Sequence, residues 1–270
     1  MHHYVHETGM KQIVRRSFAL RIMYFGLALG LIAFISNSTV AKAADEASYC
    51  FNDWPPYAFM GADGAEGISV EILAEASRRA NIIPSFVELP WNRCLELVRS
   101  GELDAVIDAA KRDEFIQGPA SFSAYTNHFW VRQDDPAAVY NETALKGRTI
   151  GLVQGYVYPE SLMAVVERAG MAIDYAVDDG NNLRKLAFGR VDVIVADMFG
   201  TLHVVRENDL RVRRLLPAHS VDSLYPSFGP RRQALQVRVN AMLEIMLADG
   251  FIDKLYFRYF DVGFQDAMPE

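Results

Sequence analysis

Two stretches of the chain carry the same pattern of apolar and polar positions. Leu97 to Asp108 reads L-V-R-S-G-E-L-D-A-V-I-D, and Leu186 to Asp197 reads L-A-F-G-R-V-D-V-I-V-A-D, with Gly101 and Gly189 88 residues apart. In each, an apolar helical turn meets a glycine able to take a left-handed cap, and a short apolar run bracketed by aspartates follows. The pattern predicts helix, cap and buried parallel strand, twice. A strand apolar on both faces needs cover on both, which makes the class α/β. Open parallel sheets bind ligands outside the carboxyl ends of their strands, so two such sheets facing each other make a cleft. Counted from its glycine, the first run reaches Asp108 at the seventh position and the second reaches Asp197 at the eighth. Strand faces alternate, so the two carboxylates need not point the same way.

Elsewhere the periodicity predicts a first strand from Tyr49 to Phe51 and an extended turn over Trp54-Pro55-Pro56-Tyr57, since consecutive prolines exclude helix. A helix after Gly67 turns Val70, Ile72, Leu73 and Ala76 inward. A strand from Ser85 to Leu89 and a helix from Trp91 to Arg99 lead into the first repeat. Phe122 to Arg132 reads as a strand crossing to the second half. That half is again β-α-β-α-β: strand Thr149–Val153, helix Tyr158–Ala169, strand Ala172–Ala176, helix Asn181–Phe188, then the second repeat. An extended segment Leu224–Gly229 returns the chain, and helices Arg231–Asp249 and Phe251–Phe260 close it. Two crossings form a hinge that permits closure on a ligand.

Composition adds the compartment. Lys11, Arg15, Arg16 and Arg21 precede an apolar run from Ile22 to Ile35, and Ala41-Lys42-Ala43 offers the small residues of a cleavage site. Residues 1–43 read as an export signal, the apolar run being shorter than the ~20 residues a spanning helix needs. They hold five Lys or Arg and one Glu, so without them the net charge falls from −7 to −11, which argues against nucleic acid or anionic membrane as partner. An exported chain meets oxidising conditions, and Cys50 and Cys94 then suggest a disulfide, two buried thiols being the alternative. The geometry permits the bond, because the helix that Cys94 begins crosses the face of the strand that holds Cys50.

Four ordered motifs carry a resemblance: Asp53-Trp54-Pro55-Pro56-Tyr57-Ala58-Phe59 with Gly67 to Leu73; Pro90-Trp91-Asn92-Arg93; Gly101-Glu102-Leu103-Asp104; and Leu145 to Gly151 with Gln154-Gly155 and Gly189 to Asp197. Spanning nearly all of residues 47–260, they resemble the family-3 extracellular solute-binding proteins, periplasmic receptors of amino-acid-type ABC importers. The resemblance implies a two-lobed periplasmic-binding-protein-like α/β fold of type II, each lobe a mostly parallel sheet flanked by helices, with a two-strand hinge. Residues 44–132 plus 218–262 would form lobe 1, residues 133–217 lobe 2, and 263–270 a C-terminal tail. The implied partners are a small-molecule ligand and an inner-membrane permease, with the protein a periplasmic monomer cleaved near Ala43, without cofactor or metal.

The same resemblance assigns Asp197 to the ligand's ammonium group, with a helix N-cap as the alternative. It places the ligand carboxylate at Gln154-Gly155-Tyr156, a strand-to-helix turn whose backbone N–H groups suit an anion, although Tyr156 and Val157 stand where the family usually has a hydroxyl. Arg112, in a segment similar to the family's E-R-x-x-F, is the candidate bidentate carboxylate partner, with Arg93 as the runner-up. Of the aromatic residues near strand ends (Trp54, Tyr57, Phe59, Trp91, Tyr125), Tyr57 and Trp91 hold motif positions and are expected on the ligand. Asp53 and Asp108 also fall at carboxyl strand ends, where either offers a second cation contact or caps a turn. Enzyme signatures are lacking, and His128, His203 and His219 lie far apart in sequence. The expected role is capture of a small polar solute, an amino acid or related carboxylate. The alternatives are a cyclohexadienyl-dehydratase-like enzyme and a sensor input domain.

Overall fold

The computed structural model describes residues 44–267; the expected export signal, with its cleavage near Ala43, lies outside the described residues, as do the last three positions. The described chain runs β1 (Asp45–Phe51), a hairpin of β2 (Phe59–Gly61) and β3 (Gly64–Glu66), α1 (Ile68–Arg79), β4 (Ile82–Glu88), α2 (Trp91–Ser100), β5 (Ala105–Ala109) and β6 (Ser123–Arg132). It continues with α3 (Glu142–Leu145), β7 (Thr149–Val153), α4 (Glu160–Arg168), β8 (Ala172–Ala176), α5 (Asp179–Ala187), β9 (Val193–Ala196), α6 (Met198–Asn208) and β10 (Val212–Arg214). Strand β11 (Ser220–Phe228), α7 (Gln233–Ala248), α8 (Phe251–Phe260) and α9 (Phe264–Ala267) complete it.

Both repeats fold as their pattern requires. Gly101 at φ 86° and Gly189 at φ 69° take the left-handed conformation that lets the last carbonyls of α2 and α5 find donors. The strands that follow, β5 and β9, are buried at every position. Each is the third strand of an identical parallel unit, ordered β4-β1-β5 in the first half and β8-β7-β9 in the second. Two antiparallel strands join the halves. The start of β6 pairs with β11 through Ser123–Asn127, and its continuation pairs with β9 through His128–Trp130. Strand β11 makes the reverse journey, pairing first with β6 and then with β5. These are the expected crossings, and the architecture is the two-lobed binding-protein fold.

Several boundaries differ from expectation for local reasons. Strand β4 starts at Ile82 because β1 extends back to Asp45 and supplies partners there; as an edge strand it buries Ile82, exposes Ile83 and tolerates Pro84. Helix α5 starts at Asp179 because the Asp178 carboxylate caps the Asn181 N–H at 2.6 Å. The hairpin, α3 and β10 span three or four residues each, too short to carry a period. The segment expected as a tail contains a helical turn, α9, whose Phe264 packs edge-on against Tyr256. Cys50 in β1 and Cys94 in α2 are joined by a disulfide, in a small core with Trp91, Leu95, Val98 and Val106.

Candidate functional site

The carboxyl ends of β1 and β5, the loop after β7 and the crossing strands β6 and β11 converge on a cleft. It holds about 600 Å³ not filled by protein atoms, its open mouth included. Much of its wall is aromatic: Phe51, Trp54, Trp91, Tyr125, Tyr156 and Tyr158. Trp54 stacks against Tyr125 at 5.8 Å between centroids, and Tyr125 meets Tyr156 edge-on at 5.9 Å. Polar groups enter at Asn52, Asp108, Arg112, Asn127 and Asp222.

Of the residues expected on the ligand, Trp91, Arg112 and Tyr156 line this cleft. Trp91 and Arg112 come from the first half, yet both donate to the Gly155 carbonyl of the second, the indole N–H at 3.1 Å. Burial lowers the pKa of Arg112, opposed by Glu114 3.5 Å away; its Nε is buried without a hydrogen-bond partner. The runner-up Arg93 points elsewhere, into an exposed pair with Glu96 at 2.8 Å.

The turn Gln154-Gly155-Tyr156 is built differently from the expected anion cradle. Helix α4 begins only at Glu160, after Pro159, so its N-terminus does not abut Gly155. Gly155 sits at φ 83°, where an added Cβ would come within 2.0 Å of the Asn92 side-chain oxygen. Gln154 and Gly155 are exposed and lie on a neighbouring shallow pocket. The Tyr156 hydroxyl is spent on Asp179 at 2.8 Å.

Asp197 lies behind the cleft wall. It is 1% exposed and caps α6: one oxygen accepts the Gly200 N–H at 2.9 Å, the other the Thr126 N–H at 3.0 Å and hydroxyl at 2.7 Å. Burial raises its pKa, and these donors, with the Tyr57 hydroxyl, offset part of the rise. Tyr57 is likewise behind the wall, stacked under Trp54 at 4.0 Å and 1% exposed. It buttresses the ring that the cleft does see. Asp53 lies in a second, more open pocket with Arg184, His203 and Glu207.

Four polar groups that the sequence pattern did not single out complete the arrangement. Asn52 and Asn127 line the wall, and Asn127 donates to Asp222 at 2.6 Å. Burial raises the pKa of Asp222, eased by Asn127 and then His219. Asp179 accepts from the Tyr125 and Tyr156 hydroxyls, each at 2.8 Å, and burial still pushes it up to about 6. Asp108, considered above as a second cation contact, does face the cleft. One oxygen accepts from the Ser123 hydroxyl, and the other is buried and faces the Ser69 hydroxyl. Burial pushes it up to about 6; the hydroxyls of Ser123 and Ser69 limit the rise and Asp197 adds to it. Its backbone lies at φ 54°, a conformation uncommon outside glycine.

The comparisons with known proteins agree with this architecture. The model of the bacterial extracellular solute-binding proteins, family 3, matches residues 50–262. The histidine-binding periplasmic protein of Salmonella typhimurium is 24% identical over 254 residues, covering 87% of this chain and 96% of that protein. Among solved structures, a histidine kinase sensor domain with similarity to periplasmic binding proteins superposes with TM-score 0.72 at 20% identity, covering 82% of this chain and 98% of the other. An ancestral arginine-binding protein bound to arginine does so with TM-score 0.70 at 19% identity, covering 81% and 99%. The chain belongs to family 3 of the bacterial extracellular solute-binding proteins.

Proposed function

We propose that this family-3 solute-binding protein acts outside the cytoplasm as a monomer that captures a small polar solute, an amino acid or related carboxylate, and delivers it to an ABC importer. The observation that carries the reading is Arg112: a partly buried guanidinium on a cleft between two halves of the fold, with a buried Nε that has no hydrogen-bond partner among the described residues. A carboxylate is the group whose two oxygens match the guanidinium fork. Residues 44–132 and 218–262 serve as one lobe and 133–217 as the other, moving about β6 and β11.

Closure follows from differential contact. A ligand bound to one lobe alone gains less than a ligand touched by both, so occupancy raises the share of the closed form. The bonds from Trp91 and Arg112 to the Gly155 carbonyl join the same two lobes and add to that share. The closed form would then present a single surface for a permease to recognise. The matching family is one of binding proteins, and transient capture without turnover fits it.

A thermal-shift screen over amino acids, polyamines and organic acids tests the reading. A solute that binds only the folded state stabilises it by about 2.7 kcal/mol at 100 times its Kd, a rise of several degrees in Tm. An amine-bearing carboxylate is expected to give that rise, and Arg112→Gln to abolish it. A screen in which no amino acid or carboxylate shifts the melt refutes the proposal.

A further inference from the structure

Four rings follow one another along the cleft: Trp54 from the loop after β1, Tyr125 on the crossing strand β6, Tyr156 in the loop after β7 and Trp91 at the start of α2. Their centroids lie 5.8, 5.9 and 5.5 Å apart in that order. The row passes from the first half of the fold to the second and back. The hydroxyls of its middle two rings converge on one carboxylate, Asp179, each donating to a different oxygen at 2.8 Å. Asp179 opens α5, yet the helix does not recruit it, because Asp178 already caps the Asn181 N–H. Nor does it line the cleft; it lies on the second pocket, which shares Trp54 with the cleft. Asp179 is in no salt bridge among the described residues, and the two phenols are what hold its pKa down against burial. Bonds to an ionised acceptor are about twice as strong as neutral ones, so the carboxylate fixes both phenol O–H groups toward itself.

We propose that Asp179 is a positioning residue for the cleft: it ties Tyr125 of the crossing strand to Tyr156 of the second half and so holds the aromatic wall in the arrangement a solute meets. The inference rests on the binding reading above and adds control of that site by a group outside the cleft. Ionised, Asp179 offers an acceptor to each ring. Protonated, one of its oxygens becomes a donor, so one tyrosine must turn its O–H away and both bonds become neutral. The wall then loosens. The surrounding phenols, Tyr125, Tyr156 and Tyr158, are pushed far up by burial and keep their protons. Asp197 at the end of β9 and Asp178 ahead of α5 both favour the proton on Asp179, and Asp53, Arg184, His203 and Glu207 share the second pocket with it.

Carbon-13 NMR of the purified protein, labelled at the aspartate carboxyls, reads the group directly; the Asp179 signal is the one lost in Asp179→Asn. Wild type should titrate with a midpoint of about 6. Tyr156→Phe removes one donor to the ionised form and should raise that midpoint by about one unit, and Tyr125→Phe should do the same. A midpoint equal in wild type and both variants overturns the proposal. Acrylamide quenching of tryptophan fluorescence reads the wall through Trp54 and Trp91, since Trp130 is buried in the core. Quenching should rise as pH falls from 7 to 5 in wild type and in Asp108→Asn, whose own carboxyl no longer titrates there, and should stay constant in Asp179→Asn. An equal rise in Asp179→Asn overturns the proposal. None of these readouts needs a solute, so a failed solute screen overturns the binding reading while the tie between the rings stands, and flat quenching in a protein that binds an amino acid does the reverse.

Discussion

Asp108→Asn is expected to stabilise the ligand-free protein at neutral and alkaline pH. The wild-type carboxyl is pushed from 3.8 up to about 6, chiefly by burial, so the folded state takes up a proton more readily than the unfolded state. Where the folded state binds more protons, stability falls as pH rises, and the loss accumulates between the two values. A shift of roughly two units at about 1.36 kcal/mol each sets the full cost at about 3 kcal/mol above pH 7, and almost none of it remains below pH 4. Asparagine keeps an oxygen for the Ser123 hydroxyl and brings an N–H toward the Oγ of Ser69, which in wild type faces the carboxyl. It also tolerates the positive φ of this position. For a domain of this size each kcal/mol moves Tm by about 2–4 °C, so the variant should melt about 6–12 °C above wild type at pH 8. The assay is a pair of melting curves taken from pH 4 to 8. The gap should close as pH falls through 6, because wild type recovers its stability on protonation and the variant has no such proton. Asp179, also near 6, titrates in both proteins and cancels in the difference. A gap that is constant across this range, or a wild type more stable at pH 8, refutes the assignment of an uncompensated buried charge to Asp108.

Two further outcomes test the reading of the site. Asp197→Ala removes the α6 cap and the acceptor of both Thr126 donors, and should cost about 2–4 kcal/mol in urea unfolding, with Asp197→Asn losing roughly half of that. Unchanged stability together with lost ligand binding would return Asp197 to the ligand. Gly155→Ala places a Cβ against Asn92 and asks alanine to adopt φ 83°, so the contact of Trp91 and Arg112 with this turn should loosen. Affinity for a solute found by thermal shift should fall about tenfold or more, equivalent to ~1.4 kcal/mol. Equal affinity would show that the two halves need not approach at this point.

The two repeats, and with them the fold, are written in local pattern. A glycine closing an apolar helix ahead of an apolar strand is a local rule, because the cap needs a residue that accepts positive φ and the strand needs cover on both faces. Gly101 with β5 and Gly189 with β9 obey it. The disulfide was legible for a similar reason, since helix and strand order in a parallel unit brings α2 over β1. The sequence also pointed to Trp91, Arg112 and Tyr156, of which the first opens α2 and the others lie in the loops that follow β5 and β7. Which carboxylates face the cleft is set by long-range packing. Asp108 and Asp197 close the two repeats in almost the same words, yet the first lies on the cleft wall beside Ser123 and Ser69 and the second is turned back onto Thr126 and Gly200. Asp222 and Asn127 became visible only when β6 and β11 crossed side by side, because pairing between strands far apart in sequence leaves no local pattern. A strand's period states which residues share a face; what that face meets depends on elements packed against it from elsewhere in the chain.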